Sequence, residues 1–186
     1  MSGGDERCVC GLTAPPITGP VDPYQAATPA CWAAFGGLLA GDYSQWRPQR
    51  HRLTVDAYMA QHPGFGSPGG RRSVLVHLVG LWLTLEQGLS PPEVGSAMGL
   101  VFPDKQAAPP ATTPVPGLAG INVADVLRAE PEKQEAQVAA WARFVWDCWR
   151  PHHALVRRLA DEALARSREG VRALPARPHR RGRGTL

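Results

Sequence analysis

The sequence predicts a mainly α fold: a single-domain helical bundle with an irregular Cys-containing loop at its N-terminus. Three observations carry this. Apolar residues recur at alternating steps of three and four in several segments, each opened by a capping residue or a proline. No segment alternates apolar and polar residues over six positions between turn signals, and no hairpin dipeptide appears. The 186 residues, 44% apolar and 19% charged, suit one buried core and exceed what a disordered chain carries.

Taken in order, Thr28 and Pro29 form an N-cap and first-turn pair, and Cys31, Trp32, Phe35, Leu38 and Leu39 follow at helical spacing to about Asp42. Thr54 is positioned to cap a second, shorter helix that stops at His62, because Pro63 and Gly64 cannot continue it. Ser73 to Glu86 is apolar on nearly every face and ends at Gly88, the pattern of a helix at the centre of a bundle. Ser90, Pro91, Pro92 and Glu93 spell a capping-box start for a short fourth helix, which fades by Gly99 into a proline-rich surface loop, 101–120. Asn122 caps a further short helix carrying Val123, Val126 and Leu127. Pro131 opens the longest helical pattern, with Val138, Trp141, Val145, Cys148, His152, Leu155 and Leu159 in one stripe. Pro151 within it predicts either a kink or the end of one helix and the start of another. Trp141, Phe144, Trp146 and Trp149, at helical spacing, read as core.

The single domain is expected to span residues 1–165, with 166–186 as a basic, disordered, Arg/Pro-rich tail. Residues 166–186 hold seven arginines and one glutamate, so the tail accounts for +6 of a net charge of +4 and leaves the body at −2. No aromatic residues interleave with those arginines, so nucleic acid is expected as a partner only through this tail. No basic-then-apolar segment opens the chain, and no apolar run approaches the roughly 18 residues of a membrane span, so a soluble, cytoplasmic protein is expected. Thiols stay reduced there, and Cys8, Cys10, Cys31 and Cys148 are read as metal ligands or buried thiols rather than a disulfide framework.

Two residue sets carry possible chemistry. Cys8, Cys10 and Cys31, with His51 as fourth member, make a thiolate and imidazole set suited to tetrahedral zinc. A Cys-x-Cys pair reaches one metal only through a bent backbone, which Gly11 permits. The competing reading is two incidental thiols and a buried Cys31. The second set is His62, His77 and His152, with Asp56 orienting one ring: histidines projecting from bundle helices suit metal binding or acid–base catalysis. Against it stands a core histidine satisfied by a neighbour. His153 adjoins this set, and His51 can belong to either. No phosphate-binding glycine loop, Gly-x-Ser-x-Gly elbow or His-Glu-x-x-His pair is present, which argues against nucleotide hydrolysis, serine hydrolysis and zincin chemistry.

The N-terminal cysteine pair, Thr28-Pro29-Ala30-Cys31-Trp32, the block from His51 through Arg52-Leu53-Thr54-Val55-Asp56-Ala57 to Tyr58, Gln61-His62-Pro63-Gly64, His77, and Trp149 before His152-His153 stand together. With them the chain resembles the bacterial domain-of-unknown-function family 5946 over about residues 8–160. That resemblance implies one domain with these Cys and His positions in its pattern, and names no reaction. One residue, Val9, separates the first two cysteines here, where the family's pattern has two. The expected function is a metal-binding, zinc-holding helical protein. The alternatives are a small metal-dependent or acid–base enzyme acting on a small molecule through a histidine cluster, and a protein or nucleic-acid interaction module.

Overall fold

A computed structural model describes residues 4–173 and bears out the mainly α reading. Two short strands, β1 (Glu6–Arg7) and β2 (Thr13–Ala14), pair antiparallel as a hairpin at the N-terminus, with Glu6 opposite Ala14 and Arg7 opposite Thr13. The helices follow as α1 (Pro29–Ser44), α2 (Pro48–Gln61), α3 (Pro68–Leu85), α4 (Pro91–Met98), α5 (Val123–Arg128), α6 (Gln134–Cys148) and α7 (His153–Ala173).

Local chemistry sets most of the starts. Thr28 Oγ1 accepts from the Cys31 amide at 3.3 Å and opens α1. At α4 the Ser90 amide donates to the Glu93 carboxylate at 2.9 Å in a capping box, and Asn122 and Asp125 form another at α5. Two starts lie earlier than expected. Helix α2 begins at Pro48, not Thr54, which is buried in mid-helix; Arg47 stands at the cap with no side-chain bond, so the start rests on proline at the first position alone. Helix α3 begins at Pro68 behind Ser67, whose hydroxyl accepts from the Gly70 amide at 3.1 Å. Gly69 and Gly70 are poor helix formers, yet the packing requires them: a Cβ at Gly70 would collide with the Gly64 carbonyl, and one at Gly69 with the Tyr24 ring.

The centre of the molecule is α2 and α3, packed on each other. Helix α6 covers α2, α4 and α7 cover α3, and α5 sits between α1 and α6. Leu75, Leu78, Leu81 and Leu83 of α3 are fully buried, as its all-round apolar character requires. The tryptophans of α6 and of its C-cap, Trp149, are core, and each indole finds a polar partner: Trp141 Nε1 donates to Gln61 Oε1 at 2.8 Å, Trp149 Nε1 to the Ala60 carbonyl at 3.0 Å and Trp146 Nε1 to Glu86 Oε1 at 3.1 Å.

One open expectation is settled and two are corrected. Of a kink or a helix end at Pro151, the structure has the second: α6 ends at Cys148, a 3₁₀ turn spans Arg150–His152, and α7 begins at His153. Proline removes a helical donor, and the amides of Trp149 and His152 turn instead to carbonyls three residues back. Loop 101–120 is not merely surface, since Val101, Val115 and Leu118 are buried. Gln61 holds it from below, its Nε2 donating to the carbonyls of Leu118 at 2.8 Å and Ile121 at 2.9 Å. Residues 166–173, assigned to a disordered tail, continue α7; the rest of that tail, 174–186, lies outside the described residues. No helix among the described residues is long and apolar enough to cross a membrane.

Candidate metal centre

The N-terminal hairpin exists to turn the chain tightly at Cys8-Val9-Cys10-Gly11. The Gly11 amide donates to the Cys8 carbonyl at 2.9 Å, and the Cys8 amide to the Leu12 carbonyl at 2.8 Å. Gly11 takes φ +90°, a conformation that L side chains resist, and this bend brings two thiols one residue apart to the same side. Both are buried, with Val9 left outside. Loop 101–120 braces the turn from beyond: the Gly120 amide donates to the Cys10 carbonyl at 3.2 Å and Asn122 Nδ2 to the same oxygen at 3.4 Å.

Cys31 and His62 complete the group. Cys31 lies in the capped first turn of α1, fully buried. His62 is the C-cap of α2, also fully buried. Its Nδ1 lies 2.7 Å from the Tyr58 carbonyl, which can only accept, so Nδ1 carries a proton and Nε2 is the atom turned toward the sulfurs. One ligand atom from each of Cys8, Cys10, Cys31 and His62 lies within 4.8 Å of all the others, and these four make the one such group among the described residues. Two separations bear on what the group could hold. Cys10 Sγ to Cys31 Sγ is 3.7 Å, and Cys31 Sγ to His62 Nε2 is 3.3 Å. A tetrahedron with zinc–sulfur bonds of about 2.3 Å and a zinc–nitrogen bond of about 2.0–2.1 Å has edges of roughly 3.8 and 3.5 Å. The four cysteines are free thiols.

The four groups shift one another's proton affinities. Hydrogen bonds from the Cys10 and Cys31 thiols hold the Cys8 thiol well below its usual range. Sharing with Cys10 and Cys8, together with burial, pushes Cys31 up. Burial alone would lower His62, but hydrogen bonds to Cys10 and Cys8 outweigh it and raise the imidazole to about 9. Tyr58, whose hydroxyl donates to Cys31 Sγ at 3.5 Å, is raised by burial and by the neighbouring thiols. A divalent cation would satisfy all these groups at once.

The expected ligand His51 takes no part. It lies in the first turn of α2 and His62 at the far end, eleven residues away, or roughly 16 Å at 1.5 Å per residue. Only the His62 end of α2 meets the start of α1. His51 instead faces Asp42, its Nδ1 3.9 Å from Asp42 Oδ2, with its ring against Tyr43 and Trp46. The histidine set proposed for catalysis is also divided. His62 belongs with the cysteines. Asp56 and His77 do meet: Asp56 is fully buried, and His77 Nδ1 lies 2.8 Å from its Oδ1, which also accepts from Arg52 at 2.8 Å. His152 is elsewhere, its Nε2 3.1 Å from the Thr113 carbonyl, where it fastens loop 101–120. His153 stacks on Trp146 with centroids 3.7 Å apart. Cys148 donates to the Gly117 carbonyl at 3.4 Å, and burial raises its thiol.

Sequence reasoning put His62 with the other histidines and missed it as the fourth member of this group. The only local signal was that α2 stops before Pro63-Gly64, which places a histidine at a helix end.

No curated protein and no solved structure matches the chain. A family model does, over residues 5–150, from the hairpin and its cysteines through the whole of α6: the chain belongs to the family of unknown function DUF5946.

Proposed function

We propose that this protein holds one zinc ion on Cys8, Cys10, Cys31 and His62, and that the metal pins the N-terminal hairpin onto the helical bundle. The observation that carries this is the pair of separations, 3.7 Å between sulfurs and 3.3 Å from sulfur to Nε2, which match the edges of a zinc tetrahedron. Three soft thiolates and one imidazole favour zinc over the oxygen-seeking magnesium and calcium. All four ligand residues are buried and all four corners are filled from the chain, so no position is left for water or substrate. That is the arrangement of a structural site rather than a catalytic one. The Nδ1 bond of His62 to the Tyr58 carbonyl and the Tyr58 hydroxyl on Cys31 fix two ligands from behind.

The test is elemental analysis of protein purified without a histidine tag or chelator. About one zinc per chain, lost in His62→Ala and in Cys10→Ser, is the expected result. Iron in place of zinc would revise the metal and keep the site. No bound metal after refolding with added zinc would overturn the reading.

A further inference from the structure

A second feature lies at the opposite end of α2 from the cysteines. A recess of about 420 Å³ opens between the first turns of α2 and α4, lined by Trp46, Pro48, His51, Arg52, Pro91 and Pro92. Its volume falls within the range of small-molecule sites. We propose that it binds a small flat organic anion, an aromatic carboxylate carrying a hydroxyl or ring N–H, with Arg52 as counter-ion and the rings of Trp46 and His51 as walls.

The charge comes from Arg52, the only lining residue with a permanent charge. Its guanidinium is held in place by one bond, Nη2 to Asp56 Oδ1 at 2.8 Å, and Asp56 is anchored in turn by His77 on the same oxygen. A guanidinium has five N–H donors, and among the described residues no other acceptor reaches this one. Nε is buried without a partner, and the side chain is thus fixed in direction while the Nη1 donors and the second Nη2 donor remain for a carboxylate, whose two oxygens match the guanidinium fork.

The walls are unusual for this chain. Trp46 is 60% exposed, the one exposed tryptophan of the six, and Tyr43 beside it is 63% exposed. Their rings lie 11° from parallel with centroids 6.1 Å apart, and both pack on His51, at 5.0 Å from Tyr43 and 5.5 Å from Trp46. Exposed apolar rings gathered at the mouth of a recess suit a flat ligand. His51 adds a polar contact. Burial lowers its pKa, which keeps the ring neutral at pH 7. Behind it, Asp42 is fully buried, and neither Asp42 Oδ2 nor His51 Nδ1 has a hydrogen-bond partner. The carboxylate favours the ring proton on Nδ1, leaving the Nε2 lone pair to accept from a ligand hydroxyl or N–H.

The experiment is a titration of the full chain with 4-hydroxybenzoate, followed by calorimetry and by ligand-observed NMR, with 4-hydroxybenzylamine as the cationic counterpart. Saturable binding of the acid is expected, with the amine at least about tenfold weaker for want of the Arg52 pairing. Arg52→Gln and Trp46→Ala should each weaken the acid by about tenfold or more. Because Arg52 supports a buried aspartate, Trp46→Ala, which removes an exposed ring, carries the test if Arg52→Gln fails to fold. Metal content is measured on the same samples, so probe binding is scored whether or not the cysteine site holds zinc. No saturable binding, equal binding by both variants and wild type, or preference for the amine would each overturn the proposal.

Discussion

If zinc fills the cluster of Cys8, Cys10, Cys31 and His62 as proposed, removing it should release the hairpin before it disturbs the bundle. A metal bound only to the folded chain stabilises it by RT ln(1 + [M]/Kd), about 4.1 kcal/mol when free metal exceeds Kd a thousandfold. For a chain of this size each kcal/mol moves Tm by about 2–4 °C, so chelation should lower Tm by about 8–16 °C. The structure says where the loss falls. Within the hairpin turn, the amides of Cys8 and Gly11 are held by the Leu12 and Cys8 carbonyls, and the Gly120 amide reaches Cys10 from outside. The bonds of Trp141 to Gln61 and of Trp149 to Ala60 tie α6 to α2 without using a ligand atom. Melting followed by circular dichroism gives the shift, and hydrogen exchange read by mass spectrometry locates it. Peptides covering residues 6–14 should lose protection on chelation while those of α3 and α6 keep it. If chelation strips a full equivalent of zinc and leaves both Tm and the exchange of residues 6–14 unchanged, the pinning role is refuted.

His62→Ala should abolish stoichiometric metal binding and His51→Ala should leave it intact, as elemental analysis will show; the reverse pattern would restore the spacing-based assignment. Metal affinity should fall with pH, because His62, raised to about 9, and Cys31, raised further, must both give up protons to the metal. At least two protons displaced give a loss of at least about a hundredfold per pH unit below 9, measurable by competition with a chromophoric chelator. In the metal-free chain the linkage differs. The contribution of His62 is complete below its ordinary 6.5 and fades as pH rises through about 9, whereas that of Cys8, lowered from 9.0, fades as pH falls below that value. Between these limits the two offset, so the Tm of chelated protein should be nearly flat while that of the loaded protein climbs. Gly80→Ala should destabilise by about 1–3 kcal/mol in a denaturant melt, since the new Cβ overlaps Asp56 Oδ2 and lies 2.8 Å from its Cγ and 2.9 Å from Met98 Sδ. Gly36→Ala, which meets nothing within 4 Å on exposed α1, should stabilise by up to about 1 kcal/mol.

What the sequence disclosed was chiefly what neighbours in the chain decide. Thr28, Ser90 and Asn122 cap helices through atoms two or three residues away, and each was readable from a few letters. Starts without such chemistry were not: Arg47 makes no cap bond before Pro48, and the glycines after Pro68 disguise a helix start whose reason is contact with Gly64 and Tyr24. The candidate site divides the same way. Three of its four members stood out as cysteines, and the bend at Gly11 was readable as permission for the close Cys-x-Cys pair. The fourth depended on which end of α2 meets α1. That is a tertiary fact, and spacing along the chain carries no trace of it. The sequence predicts that Asp56 orients one ring of the histidine set without indicating which, and the ring it meets is that of His77.

The break at Arg150–His152 has a consequence for how this architecture is assembled. The family match stops at residue 150, where the 3₁₀ turn begins, so α7 lies beyond the matched residues. Yet α7 packs on α3 and α4, and its Val156, Leu159, Ala160 and Ala163 are buried. A chain ending at the match boundary would expose the side of α3 that these residues cover. In this chain, then, the flank of α3 is closed by a helix that lies beyond the matched residues, while the cluster of Cys8, Cys10, Cys31 and His62 lies wholly within them.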